Sequence, residues 1–449
     1  MSRISAFAGI ALGCLLLSGC PKRVPPPAAS TPTPTPAQTP TPTPAPTPPP
    51  VPAIPRKPLA TARLFNGLAL QAKLVSAKGP ELASQNRRDL SAYEVRVTVS
   101  ARLPTPGTSA RDFLKNDPLL PGTFNDFDRL LADSSVSPFF EKLYALKLAQ
   151  IERELGRLDA VLSRDNLYDC ETILTLRNPA TGRRALLAVG DMDVNVDGSD
   201  GDRNIAVDGS AQFFLPQTSY RWPKLSEREN PFLAVEQARL ASLKSELAAG
   251  AATAARKKEI EDAMDVAKRR VFDLKKWSFL VAETDPFIVL PGFMMREKDD
   301  PYSPSIGDFA LVLFGGKAYP AVVGDAGPSL KLGEASLLIC REVNARSSPL
   351  AGAVTNLKVT YLVFPGTAAS PHTPPDLEVW QATCEQLAKE LGGLKCPVHT
   401  WPNLVKPWPT PTPTPTPVPT PTSTPAPSPS PSAAASPSEP FVVTPPPPE

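Results

Sequence analysis

Ala321-Val322-Val323-Gly324-Asp325-Ala326-Gly327-Pro328-Ser329-Leu330-Lys331-Leu332-Gly333-Glu334-Ala335-Ser336 is the stretch whose reading decides the fold. An apolar β-type run enters it, and a second, Ala335 to Ile339, leaves it. Between them lie turn signals and two carboxylates, each preceded by glycine. Glycine lets a backbone turn sharply or approach another group closely, so both carboxylates are expected to be aimed by their turns. Similar short apolar runs recur at Glu171 to Leu176, Ala185 to Val189, Phe287 to Leu290, Phe309 to Phe314, Ala318 to Val323 and Leu357 to Phe364. Each is bounded by Gly, Pro, Asn or Asp. Short strands at close spacing predict a barrel or a sandwich. With the helical segments below, the expected class is α+β, built on a compact β-barrel-like core. The Gly-Asp and Gly-Glu turns suggest the double-psi type by analogy.

Two carboxylates at one site are the least that cleaving a glycosidic bond requires. One stays protonated and donates to the leaving oxygen; the other stays ionised and activates water or attacks. Most Asp/Glu pairs are solvated surface charges, so the flanking sequence must carry the argument. Rival chemistries have little support. The only histidines, His372 and His399, lie near the C-terminal end, and no CxxC pair occurs. A zinc site or a Ser-His-Asp or Cys-His nucleophile therefore lacks its parts. Net charge is +2, and no basic stripe interleaves with aromatics, so no nucleic-acid partner is expected. No cofactor or metal is expected either.

The first 19 residues read as a signal peptide: Arg3 is the positive n-region, and Ile4 to Leu17 is an apolar h-region too short for a comfortable span. Leu17-Ser18-Gly19-Cys20 resembles a bacterial lipobox, with Cys20 lipidated as the first mature residue. Pro21 follows in place of an inner-membrane retention aspartate, so the expected location is the cell envelope, at the outer membrane or cell surface. Acyl chains anchor such a protein without spanning. Most of the 58 prolines lie in the linker 20–57 and the tail 403–449. Proline favours polyproline II and cannot build a core. At about 3.1 Å per residue, the linker spans roughly 100 Å. The tail, 403–449, reads as a disordered end in preference to a spacer.

Within the body, 58–165 is expected to be a small α+β region. Tyr93 to Val99 alternates like a half-buried strand, with Leu64 to Val75 supplying partners. Phe139, Leu143, Leu148, Ile151, Leu155, Leu158 and Leu162 then recur at helical spacing. A catalytic unit is expected over 166–402. Leu233, Leu240, Leu243 and Leu247, then Ile260, Met264, Ala267, Val271 and Leu274, predict a helical hairpin inserted at 224–276. Cys14 leaves with the signal. Cys170, Cys340, Cys384 and Cys396 form an even set in an oxidising compartment. Of three pairings, proximity favours Cys384–Cys396, leaving Cys170–Cys340.

Read together, four landmarks resemble glycoside hydrolase family 75, the fungal-type endo-chitosanases. They are Gly190-Asp191-Met192-Asp193-Val194-Asn195-Val196-Asp197-Gly198, then Asp285 to Pro291, then Gly307-Asp308-Phe309-Ala310 with Gly316 to Tyr319, and last Gly324-Asp325 with Gly333-Glu334-Ala335-Ser336. The likeness covers about residues 166–400. It implies endo-hydrolysis of β-1,4-linked glucosamine polymers with inversion. Glu334 would be the general acid and Asp325 the base, the reverse assignment remaining open. Inversion needs the carboxyls about 6.5–9.5 Å apart. The insertion and the 58–165 region depart from the fungal pattern and bear on substrate choice.

Asp191, Asp193 and Asp197, with Asp200 and Asp202, admit three readings: a calcium loop opening, attraction of ammonium groups on a cationic sugar polymer, or a ligand-free acidic turn. The twelfth position of such a calcium loop would be Asn204, not glutamate. Tyr319, with Tyr220, Trp222, Trp277 and Tyr302, is a candidate sugar platform, although packing is the commoner use of such residues. The expected partners are a chitosan-like polysaccharide and, through the lipid, a membrane; the protein is expected to be a monomer. A non-catalytic polysaccharide-binding lipoprotein and a peptidoglycan-cleaving hydrolase are the competing classes.

Overall fold

The computed structural model of the protein describes residues 70–74, 95–99, 102–156, 167–205, 214–250 and 253–407. All belong to one unit, Ala60–Glu449. The expected signal peptide, Cys20, the linker and the tail beyond residue 407 lie outside the described residues. Among the described residues, no helix is long and apolar enough to cross a membrane.

Strands β1 (Leu70–Leu74) and β2 (Val95–Val99) pair antiparallel. Helices α1 (Ala110–Phe113) and α2 (Phe127–Ala132) follow, then strand β3 (Ser135–Val136) and helix α3 (Pro138–Gly156). Next come β4 (Cys170–Arg177), β5 (Arg184–Asn195) and β6 (Arg221–Pro223), then α4 (Leu233–Ala248), α5 (Ala254–Lys276) and β7 (Trp277–Phe279). The last part runs β8 (Phe287–Pro291), β9 (Phe309–Phe314), β10 (Lys317–Gly327), β11 (Glu334–Ser336), α6 (Leu337–Val343), β12 (Val354–Val363) and α7 (Leu377–Leu391).

Six strands close into a mixed barrel in the order β11, β8, β10, β9, β12, β5, with β5 returning to β11. The β8–β10 and β5–β11 pairs are parallel and the others antiparallel. Closure leaves these strands no open edge. A strand shows alternate residues to opposite faces. Ile288, Leu290, Ala310, Val312, Ala321, Val323, Ala335, Val359, Tyr361, Leu186 and Ala188 meet in one cluster. All six strands contribute to it, so this face is the barrel interior.

The alternate residues Leu187, Val189, Leu311, Leu313 and Leu362 form an outer cluster with Phe113, Phe124, Phe127 and the α7 residues Cys384 and Leu387. The described N-terminal region thus shares the barrel's packing, and β3 adds to the sheet through β4. On α3, Phe139, Leu143, Lys147 and Ile151 repeat every four residues and are all buried. The lysine in this stripe is matched: Lys147 Nζ lies 2.7 Å from Asp169 Oδ2, both fully buried.

The helical hairpin is present as α4 and α5, turning near Gly250 at φ +73°. It leaves from β6 and returns into β7, and these two strands pair with each other. The entry and exit are therefore adjacent, and a long insertion costs the barrel nothing. Two expectations change. Ala335 to Ile339 is not one strand: β11 ends at Ser336, and Leu337 opens α6, whose Leu337, Ile339 and Cys340 are buried. A short continuous apolar run fits a buried helix as well as a buried strand. The cysteines are also unpaired: Cys170, Cys340, Cys384 and Cys396 are all free thiols. Cys340 Sγ donates to Ala335 O at 3.4 Å and Cys384 Sγ to Ala310 O at 3.4 Å, so backbone carbonyls take the place expected of a second sulfur.

Candidate active site

The two glycines do different work. On β10, Val323 pairs with Ile288, but the next paired residue is Asp325, opposite Val289; Gly324 is an extra, bulged residue. In a regular strand Asp325, two residues on from Val323, would share its inward face. The bulge turns it out beside Val289, as bulges re-aim side chains. A Cβ on Gly324 would lie 2.6 Å from the Phe287 ring, so no other residue fits. Gly333 has φ +94°, and a Cβ there would lie 2.3 Å from Asp191 Oδ1. It delivers Glu334 to β11, where Glu334 also pairs with Val289. Asp325 and Glu334 therefore flank one residue from the two strands beside it, on one face. Two interstrand steps separate their backbones by roughly 9–10 Å.

Asp325 Oδ1 accepts from Ser219 N at 3.0 Å, from Ala326 N at 2.8 Å and from the Ser219 hydroxyl. Burial raises its pKa, and these bonds partly offset the rise. Glu334 Oε1 accepts one bond, from Asn195 Nδ2 at 2.8 Å. Burial raises its pKa too; the Asn195 bond and Lys331 pull it down, and Asp325 and Asp193 push it up. A third carboxylate shares this field. Asp197 Oδ1 accepts from Leu215 N at 2.8 Å, and burial, then Asp325 and Glu334, push it up to about 7.

A cleft of about 560 Å³ is lined by Asn195, Asp197, Ser219, Val289, Asp325 and Glu334, together with Gln217, Arg221, Asp273 and Phe279 around the base of the insertion. A smaller cavity of about 260 Å³, lined by Phe124, Arg129 and Arg177 among others, contains one carboxylate, Asp126, and so lacks an acid–base pair.

The cleft thus brings together Asp325, Glu334 and Asp197. It does not collect the other candidates. Asp191 is buried beneath Gly333, and burial followed by Asp169 and Asp193 pushes it up to about 9. Asp193 pairs with Lys331. Asp200 binds Arg203, which also forks onto Asp285, and Asp202 accepts from Leu225, Ser226 and Ser278. The acidic run is therefore divided among strand, cleft and loop ties. Among the described residues, no group of three or more His, Cys, Asp or Glu could hold a metal ion. Tyr319 is 4% exposed and packs against His399 and Trp401, away from the cleft lining. Sequence reading missed Ser219, Arg221 and Asp273 as site residues. Asn195 stood in the acidic motif only as a position of a calcium-loop opening, not as a partner of Glu334; that motif was the one available signal.

A half-buried pair of carboxylates with raised pKa values, facing one cleft, is the arrangement that hydrolysis of a glycosidic bond calls for. Residues 192–394 match the family described as fungal chitosanase of glycosyl hydrolase group 75, which makes this region a chitosanase-like glycoside hydrolase domain. The match begins on β5 and takes in the insertion and the whole cleft lining. No curated protein matches the chain.

Proposed function

We propose that the protein hydrolyses internal β-1,4 bonds of chitosan, or of a related partly deacetylated glucosamine polymer, with inversion. The observation that carries this reading is the common pairing of Asp325 and Glu334 with Val289. Their backbone separation of roughly 9–10 Å leaves room for a water beside the sugar. Asp325 is the base: its three hydrogen bonds favour the ionised form and all fall on Oδ1, leaving Oδ2 for the water. Glu334 is the acid: with one bond and a buried setting it holds its proton more readily. Water oxygen bonds to the anomeric carbon as the glycosidic C–O bond breaks. The water's proton passes to Asp325, and the proton of Glu334 passes to the leaving oxygen. Solvent then restores both groups.

Reducing-end release from chitosan, chitin and peptidoglycan tests this. Wild type is expected to prefer chitosan, and Glu334→Gln and Asp325→Asn to lose at least about 10³-fold in kcat. Preference for peptidoglycan, or wild-type activity in folded Glu334→Gln, refutes the reading. The lipobox supports a second element of the proposal: a lipid-anchored envelope enzyme, acting as a monomer at the end of a Pro/Thr tether. That element rests on acylation of Cys20.

A further inference from the structure

We propose that the base of the inserted hairpin forms a distal sugar subsite, where Asp273 receives the ammonium group of a glucosamine unit and Arg221 donates to its hydroxyls. This rests on the chitosan reading and names residues that no part of the two-carboxylate chemistry requires. The segment entering β6 runs along the cleft with strict alternation. Thr218, Tyr220 and Trp222 are buried, while Gln217, Ser219 and Arg221 face outward and line the cleft. Ser219 holds Asp325. Its neighbours on the same face hold Asp273: Gln217 Nε2 donates at 3.1 Å and Arg221 Nη1 at 3.5 Å. Positions two apart on such a segment are about 7 Å apart. One short extended stretch therefore ties the proposed base to a second carboxylate, at a distance on the order of one sugar ring.

Two features suit this second carboxylate to a cation. Asp273 lies in the last turn of α5, where the backbone carbonyls already present partial negative charge. An acidic residue there works against helix stability, by about 0.3–1 kcal/mol, and concentrates negative potential at the cleft wall. Its side chain is 24% exposed, so a ligand can reach it. A carboxylate has about four acceptor sites, and Gln217 and Arg221 take two of them. Arg221 is 45% exposed, lies over the Trp277 ring at 4.8 Å and lines the cleft. An acceptor and a donor fork side by side match an amino sugar, which carries both an ammonium group and hydroxyls.

The test is calorimetric binding of a fully deacetylated glucosamine hexamer to Glu334→Gln protein, alone and combined with Asp273→Ala or Asp273→Asn. The Asn variant keeps an acceptor for Gln217 and reports loss of charge alone. Asp265→Ala is the control, because it removes an exposed carboxylate from the same helix outside the cleft. Both Asp273 variants are expected to weaken binding about tenfold or more, with the difference shrinking at high salt; Asp265→Ala leaves it unchanged. In the active enzyme, Asp273→Asn raises KM on the hexamer and spares kcat. Chitosan cleavage by wild type together with unaltered hexamer binding in the Asp273 variants overturns the subsite alone. Absence of chitosan cleavage by wild type overturns the chitosan reading and the subsite with it.

Discussion

Asn195 Nδ2 donates to Glu334 Oε1 at 2.8 Å and reaches Asp197 Oδ2 at 3.4 Å, so one amide bridges two carboxylates of the cleft. Its own Oδ1 accepts from Asp197 N at 2.9 Å, which locks its orientation. The bond to Glu334 lowers a pKa that burial raises. Removing it in Asn195→Ala therefore moves the Glu334 pKa further up. The acid must be protonated to work, so the alkaline limb of the kcat/KM profile shifts to higher pH. The freed rotamer is expected to cost roughly tenfold in kcat. A pH–rate profile checks both, and an alkaline limb that moves down would contradict the assignment of Glu334 as acid. The carboxylates themselves were legible in sequence because glycine precedes each. Asn195 was not, because only β5–β11 pairing brings it within reach of a residue far along the chain.

At the level of elements, a strand bulge and a left-handed glycine aim the two carboxylates from the two strands that flank β8. Gly333→Ala combines strain at φ +94° with a Cβ driven against Asp191. About 3 kcal/mol of destabilisation is expected, lowering Tm by roughly 6–10 °C. Gly182→Ala is the comparison: φ is +73° there, but nothing lies within 4 Å of the added Cβ. It should cost only about 1 kcal/mol, and thermal melts that fail to rank the two this way would refute the packing argument. Helical spacing made α4 and α5 legible, since leucines three and four residues apart give one apolar face. The Ala335 to Ile339 run was misread because only Ser336 interrupts its apolar residues, which is too little to show a period. Periodicity cannot separate strand from helix where both faces are buried.

For the whole molecule, the barrel is clad by the N-terminal region and α7, and its cleft is walled by the insertion's base. Cys20→Ser is expected to abolish lipid labelling and to move the enzyme from the membrane fraction to the soluble one; a variant that stays in the membrane fraction would refute the lipid anchor. Sequence alone determined the class of fold and the existence of the hairpin, and it singled out the two carboxylates on which the proposed chemistry rests. These depend on local periodicity, turn chemistry and residue type, all of which are written along the chain. Only the tertiary structure decided that the thiols stay apart, that Tyr319 is core, that Asp191 lies beneath the site while Asp197 lines it, and that Asn195, Ser219 and Asp273 complete the cleft. Those outcomes depend on which strand lies beside which, and on the single bulged residue at Gly324 that sets which face Asp325 presents.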